Sequence, residues 1–232
     1  MKYNLDNILC RRKTKEVIKD NDKVIKLFVE NYSKANILNE ALNQSRVEEN
    51  TSLNIPKLQE VSKIENRWAL VYDFVEGKTL AELMENFPEN FDKYLEKFVD
   101  IQLDVLSNSV PLLNRMKEKF ARKISSLEDI DEATKFELLH KLEGMKNHAK
   151  LCHGDFNPSN IIIKEDGSYF IIDWAHVTQG NASGDAAKTY LLFVMDGKQE
   201  VADKYLNLVS QKSGIDLLNI QRWIPIVAAS QL

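Results

Sequence analysis

His153-Gly154-Asp155-Phe156-Asn157-Pro158-Ser159-Asn160 runs directly into Ile161-Ile162-Ile163, and Ile171-Ile172-Asp173-Trp174 follows shortly after. Asp155 and Asn160 stand five positions apart in a stretch of turn formers, and Asp173 comes 18 residues after Asp155. The segments from Ile161 to Lys164 and from Tyr169 to Ile172 flank Glu165-Asp166-Gly167-Ser168, which predicts a hairpin. That hairpin would bring Asn160 and Asp173 to one end of a rigid element. The chemistry best matched to this set is phosphoryl transfer from a nucleotide. One carboxylate, Asp155, takes the proton of an incoming hydroxyl, while the Asn160 amide oxygen and the Asp173 carboxylate hold a magnesium ion on the phosphates. Mg²⁺ favours hard oxygen donors and few protein ligands, leaving the rest to phosphates and water.

Asp, Asn, Pro and Gly also form turns for purely local reasons. Asp155 alone would therefore carry little weight. Asp155, Asn160, the isoleucine strand and Asp173 together carry the chemical reading. His153 is expected to pack and hydrogen-bond within the loop.

The rest of the chain is organised around this stretch. Ile8 to Cys10, Glu16 to Lys19 and Lys23 to Phe28 are predicted strands, with Asp20-Asn21-Asp22 as a tight turn. Ser33 to Glu48 has helical composition, with Ser33 as N-cap and Ile37, Leu38, Ala41 and Leu42 as its apolar positions. A second hairpin is predicted from Lys57 to Val75, turning at Glu65-Asn66, and Thr79 opens a helix with Glu82 as capping-box partner. Helices are predicted from Phe91 to Leu106, Pro111 to Ile124, Asp131 to Gly144, Asp185 to Asp196, Gln199 to Ser213 and Leu217 to Ala229. This gives an α+β chain: residues 1–72 a small antiparallel-sheet lobe with one helix, 73–77 a connector, and 78–232 a larger, mostly helical lobe.

Bulk properties narrow the function classes. A chain of 232 residues with 44% hydrophobic and 28% charged residues is expected to be a soluble globular protein. A net charge of −4 gives no reason to expect nucleic acid or an anionic membrane as partner, and no apolar run reaches the length of a membrane span. Two cysteines, Cys10 and Cys152, build no disulfide framework, so a reducing cytoplasm is the expected setting. The first glycine is Gly77, which excludes a glycine-rich Walker loop from the strand-rich region.

The segment from Leu151 to Trp174 resembles the catalytic and metal loops of the aminoglycoside phosphotransferase and choline kinase superfamily, relatives of the protein kinases. The matching residues are His153, Gly154, Asp155, Asn160, Ile172, Asp173 and Trp174. The resemblance implies a two-lobed protein-kinase-like fold and transfer of the γ-phosphate of ATP or GTP to a hydroxyl of a small molecule. It makes Asp155 the catalytic base and Asn160 and Asp173 the magnesium ligands. It likens Lys26, in Val24-Ile25-Lys26-Leu27-Phe28, to the strand lysine on the α- and β-phosphates. Glu40 is then that lysine's ion-pair partner, with Glu48 as a rival. Asp73-Phe74-Val75 resembles the adenine-binding hinge, where the Asp73 carbonyl and the Val75 N–H would serve the base. Asp185 corresponds to a helix cap or an anchor of the catalytic loop. The chain departs from protein-kinase practice at Arg11-Arg12-Lys13-Thr14-Lys15, where no glycine covers the phosphates and basic side chains or a solvated hairpin stand instead.

Two other readings fit parts of the pattern. A metal-dependent hydrolase would use His153, Asp155, Asp173 and His176, but leaves Asn160, Lys26 and Glu40 without a role. A kinase-like protein that binds nucleotide without turnover would explain the glycine-free loop. The acceptor is open: a polycationic aminoglycoside calls for an acidic pocket, to which Glu128, Asp129, Asp131 and Glu132 could contribute. Choline calls for an aromatic cage, to which Trp174 and Trp223 could contribute.

Overall fold

A computed structural model describes residues 2–232 of the chain. In chain order the elements begin with strands β1 (Ile8–Arg11), β2 (Lys15–Asp20) and β3 (Lys23–Phe28), then helix α1 (Lys34–Asn50). Strands β4 (Leu58–Ile64), β5 (Arg67–Asp73) and the short β6 (Lys78–Thr79) follow. Helices α2 (Leu80–Asn86), α3 (Phe91–Ser107), α4 (Met116–Ser125) and α5 (Glu132–Glu143) lead to β7 (Lys150–Cys152). Strands β8 (Ile161–Ile163), β9 (Tyr169–Ile171) and β10 (Thr178–Gly180) precede helices α6 (Ala182–Met195), α7 (Gln199–Ser213), α8 (Leu217–Gln221) and α9 (Ile224–Ala229). Among the described residues no helix is long and apolar enough to cross a membrane.

The chain divides into two compact units. The first takes in the chain up to Thr79 together with Ser159–Ala175; the second is Leu80–Pro158 with His176–Leu232.

The first unit is built on an antiparallel sheet in the order β1-β2-β3-β5-β4. Its turns are local products of sequence: Asn21 takes φ +52°, and Glu65 and Asn66 take +49° and +65°, the left-handed pair that a two-residue hairpin of the right twist requires. Strand alternation splits the apolar residues between two faces. Ile18, Ile25, Leu27, Ala69 and Val71 pack on one face, and Phe28, Leu70 and Tyr72 on the other, against Ile37 and Ala41 of α1. Each fully buried aliphatic or aromatic side chain of this kind stabilises the fold by about 1.5–3 kcal/mol.

Helix α1 is capped by Ser33, whose hydroxyl accepts from the Asn36 N–H. Its inward stripe is not the expected Ile37-Leu38-Ala41-Leu42 set. Leu38 and Leu42 are 43% and 47% exposed, and the buried positions are Ile37, Glu40, Ala41, Asn43, Gln44 and Val47. Spacing by three and four selects that stripe; of its polar members, Gln44 Nε2 donates to the Pro56 carbonyl at 2.8 Å and to Glu48 Oε1 at 2.9 Å, whereas Asn43 Oδ1 is buried without a hydrogen-bond partner.

A second, three-stranded sheet in this unit has the order β6-β8-β9. The β8–β9 hairpin pairs Ile161 with Ile171 and Ile163 with Tyr169. Its turn is closed by the Lys164 N–H to the Ser168 carbonyl at 2.9 Å, with Gly167 at φ +81°.

The second unit is helical. Phe98 of α3 lies 4.8 Å from the Phe156 ring, 5.7 Å from Phe193 of α6 and 5.8 Å from Tyr205 of α7, measured between ring centroids. Three boundaries differ from expectation. Helix α4 starts at Met116, not Pro111, because Leu112 takes φ +63° and the Asn114 carbonyl and Arg115 engage Gln179. Leu217 to Ala229 divides into α8 and α9, and Pro225, which has no N–H to donate, falls in the first turn of α9. Helix α6 starts at Ala182, not Asp185, because Asn181 supplies its cap, whereas Thr79 directly precedes α2 at Leu80, where a capping-box residue stands. The unit also contains a pairing with no local signal, β7 with β10, matching Cys152 to Thr178 and Lys150 to Gly180.

Candidate active site

Strand parity sets the first cluster. In β3, Ile25 and Leu27 face one side of the sheet, so Lys26 shares the opposite, α1-covered side with Phe28. There its Nζ donates to Glu40 Oε1 at 2.7 Å and to Asp173 Oδ1 at 2.9 Å, and lies 5.4 Å from the centroid of the Tyr72 ring. The Lys26 and Glu40 side chains are only 11% and 8% exposed. Burial opposes the Lys26 charge, but the Asp173 and Glu40 carboxylates outweigh it and hold the ammonium above its ordinary pKa. The rival, Glu48, is engaged elsewhere: its Oε1 accepts from the Leu58 N–H at 2.9 Å, fixing the start of β4.

Asp173 follows β9 with φ +65°, a left-handed conformation that Asp and Asn tolerate better than most residues. The Ile172 N–H donates to the Asn160 carbonyl at 2.9 Å, so Asn160 and Asp173 leave the same end of the β8–β9 hairpin. Asp173 Oδ2 accepts from Lys15 Nζ at 3.0 Å. Burial would raise the Asp173 pKa; Lys26 and Lys15 override it and keep the carboxylate well below the usual range. Lys15 closes the basic segment after β1 and its side chain is 18% exposed, so this hairpin is not simply solvated. The carboxylate and amide oxygens of Asp173 and Asn160 are hard donors of the kind magnesium takes. Among the described residues no three His, Cys, Asp or Glu side chains gather as a metal-binding group.

Asp73 and Val75 border a cavity of about 420 Å³ together with Pro56, Lys57, Phe74 and Phe170. The Asp73 carboxylate accepts from Lys23 Nζ at 2.8 Å.

In the second unit, Asp155 lies on the loop after β7, and a buried polar network holds that loop. Asp185 is 1% exposed; its Oδ1 accepts from the Gly154 N–H at 2.8 Å and its Oδ2 from Gln102 Nε2 at 3.3 Å. Burial raises the Asp185 pKa, and the donated hydrogen bonds from Gly154, Gln102 and His153 work against it. Gln102 also donates to Thr189 Oγ1 at 3.1 Å and accepts from the Tyr205 hydroxyl at 2.5 Å, and Thr189 donates to the Phe156 carbonyl at 3.0 Å. Helix α6 is capped by Asn181, which accepts from the Ser183 N–H, so Asp185 is the loop anchor and not the cap. Gly154 has φ +76°, and a Cβ there would stand 2.4 Å from the His176 carbonyl oxygen, so no other residue fits. His153 is fully buried, and its Nδ1 accepts from the Asp155 N–H at 3.3 Å.

The family model of the APH phosphotransferases, described as a phosphotransferase enzyme family, matches residues 57–214. The chain belongs to this family. As a family member it is a small-molecule kinase, with the protein-kinase-like α+β fold. Among solved structures, aminoglycoside-3'-phosphotransferase of type VIII is 14% identical with a TM-score of 0.68, covering 98% of this chain and 93% of that one. An aminoglycoside phosphotransferase from Streptomyces rimosus, solved with ADP and streptomycin, is 17% identical with a TM-score of 0.65, covering 94% and 90%. A thermostable mutant of aminoglycoside phosphotransferase APH(4)-Ia, in ternary complex with ADP and hygromycin B, is 12% identical with a TM-score of 0.70, covering 97% and 84%. No curated protein sequence matches the chain.

Several side chains of this phosphotransferase do other work than the sequence suggested. Trp174 and Trp223 are 0% and 2% exposed, and Trp174 Nε1 donates to the Ile171 carbonyl at 3.1 Å, so neither offers a ring face for an aromatic cage. Asp131 caps α5, accepting from the Thr134 N–H at 2.9 Å. Sequence reading did not find Gln102, Thr189 and Tyr205, since residues 83 to 103 positions apart meet only in the fold.

Proposed function

We propose that this kinase moves the γ-phosphoryl group of ATP or GTP to a hydroxyl of a small molecule, with Asp155 as catalytic base. The hydroxyl oxygen bonds to the γ-phosphorus as the bridging P–O bond to the β-phosphate breaks. The nucleoside diphosphate leaves, and the hydroxyl proton passes to Asp155. Lys26, oriented by Glu40, holds the α- and β-phosphates, and the Asp73 carbonyl and Val75 N–H receive the base. Asn160 and Asp173 would hold magnesium, which supplies charge neutralisation on the phosphates.

The observation that carries this reading is the Lys26 ammonium held at 2.7 Å from Glu40 and 2.9 Å from Asp173. A buried lysine between two carboxylates from separate segments is costly to assemble, and phosphate recognition gives it a purpose. The complexes of structural neighbours with ADP, AMP-PNP, streptomycin and hygromycin B also support a nucleotide and a small acceptor. The non-catalytic alternative has less support, since Asp185, Gln102 and Thr189 hold the Asp155 loop in a defined shape that nucleotide binding alone does not need.

The test is nucleotide consumption by purified protein across aminoglycosides, choline, ethanolamine, amino alcohols and sugars, with and without anionic substituents. The expected result is magnesium-dependent consumption with one phosphoryl group added to an acceptor, seen by mass spectrometry. Thermal stabilisation by magnesium nucleotide with no transfer to any acceptor would favour the non-catalytic reading.

A further inference from the structure

A cavity of about 230 Å³ in the second unit is lined by Asp155, Asp185 and His176, and by three lysines, Lys119, Lys123 and Lys188. Lys119 and Lys123 are one turn apart on α4, and Lys188 comes from α6. Each ammonium has a neutral oxygen for a partner. Lys119 donates to the His176 carbonyl at 2.9 Å, Lys123 to the Ser230 carbonyl at 2.7 Å, and Lys188 to Gln231 Oε1. Among the described residues, none of the three is in an ion pair, whereas Lys15, Lys23, Lys26 and Lys212 all are.

An ammonium has three donors, so each lysine keeps hydrogen-bonding capacity after its one neutral contact. Asp185 is committed to the Gly154 N–H and to Gln102. The cavity thus sets three ammonium groups against the Asp155 and Asp185 carboxylates, and with Asp185 occupied by the loop it is the lysines that are left to meet a ligand beside Asp155. A polycationic acceptor would be repelled there, and the acidic residues that could have received one, Glu128, Asp129, Asp131 and Glu132, do not line it.

We propose that the acceptor is an anion: a small hydroxyl compound whose carboxylate or phosphate is held by Lys119, Lys123 and Lys188 while its hydroxyl meets Asp155. This rests on Asp155 being the base, as proposed above. The lysines also show the cost of being buried, which Asp155 and Asp185 offset only in part. Burial first, and for Lys119 then the neighbouring lysines, push the pKa values of Lys119 and Lys188 down to about 8. An anion would relieve that cost, as charge-assisted hydrogen bonds to carboxylate or phosphate do.

Titration calorimetry on the full chain tests this, using D-glycerate as carboxylate probe, D-ribose 5-phosphate as phosphate probe, and streptomycin and choline as cationic probes. Titrations are run with and without AMP-PNP and magnesium. At least one anionic probe should bind in both conditions, weaken with salt, and lose about tenfold in affinity in each of Lys188→Gln and Lys123→Gln, as expected for one lost charged hydrogen bond. The carboxylate and phosphate arms decide which anion is preferred. Streptomycin or choline binding in place of the anions would overturn the proposal. So would absence of binding by both anionic probes at millimolar concentration, affinities unchanged in both variants, or competition with AMP-PNP, which would assign the lysines to the nucleotide. Lys123 is exposed, so its variant remains informative should Lys188→Gln not fold. AMP-PNP binding to the wild type is read in the same experiments. If it holds while the anions fail, only the acceptor assignment falls; if it fails too, the kinase reading falls with it.

Discussion

Lys26 answers to two carboxylates, and its replacement separates folding from chemistry. Lys26→Met leaves Glu40 buried with no cation, which should cost about 3 kcal/mol of stability. Adding Glu40→Leu removes the orphaned charge, and Asp173 keeps Lys15, so the double variant should regain most of that loss. Phosphoryl transfer should stay low in both if Lys26 serves the phosphates. Urea denaturation beside a turnover assay reads the two effects. A double variant that regains stability and activity together would make the pair a structural device only.

At the scale of elements, Asp131 belongs to helix α5. Asp131→Ala removes the side chain that accepts from the Thr134 N–H and should lower the urea midpoint, with turnover unchanged. A fall in turnover at constant stability would instead tie the acidic segment to the acceptor. Elements with a complete local signal were legible in the sequence: the Asp20-Asn21-Asp22 turn, the Glu65-Asn66 hairpin, the isoleucine hairpin and the periodic helix α3. The β7–β10 pairing was not, because two three-residue strands 25 residues apart carry no turn or period of their own. The start of α4 was hidden because Leu112 adopts a left-handed conformation that its sequence does not announce. The candidate site divides in the same way. Asp155, Asn160 and Asp173 stand out by spacing within one short stretch. The inward turn of Lys15, the Gln102–Asp185–Tyr205 network and the three-lysine cavity depend on contacts between distant segments, which no local pattern encodes.

At the scale of the whole molecule, the lysine cavity leaves a signature in the pH dependence of stability. Burial pushes Lys119 and Lys188 down to about 8 in the folded protein, from about 10.4 in the unfolded chain. Between those values the unfolded chain binds more protons at these two groups, so they add stability as pH rises across that window. Below about 8 both states are charged and the penalty is fully present. The groups that set it are Lys119, Lys123, Lys188 and Arg122 on the cationic side, with Asp155 and Asp185 opposing. Lys26, raised above its ordinary value, contributes stability that is lost only above this window. From about pH 7.5 to about pH 10 denaturation midpoints of the wild type should rise relative to those of Lys119→Gln/Lys188→Gln, since the buried Cys152 thiol and the Tyr72 and Tyr205 hydroxyls, whose pKa values burial raises, oppose the rise equally in both. A wild-type profile parallel to that of the variant would contradict the strained cationic cavity.

The central claim is that Asp155 takes a proton from the attacking hydroxyl. The most direct measurement is magnesium-dependent release of the γ-phosphate of ATP and GTP to water, compared between the wild type and Asp155→Asn under nucleotide saturation. Loss of a general base predicts a drop of about 10²-fold or more with nucleotide affinity retained. Phosphate release at the wild-type rate in Asp155→Asn would contradict it.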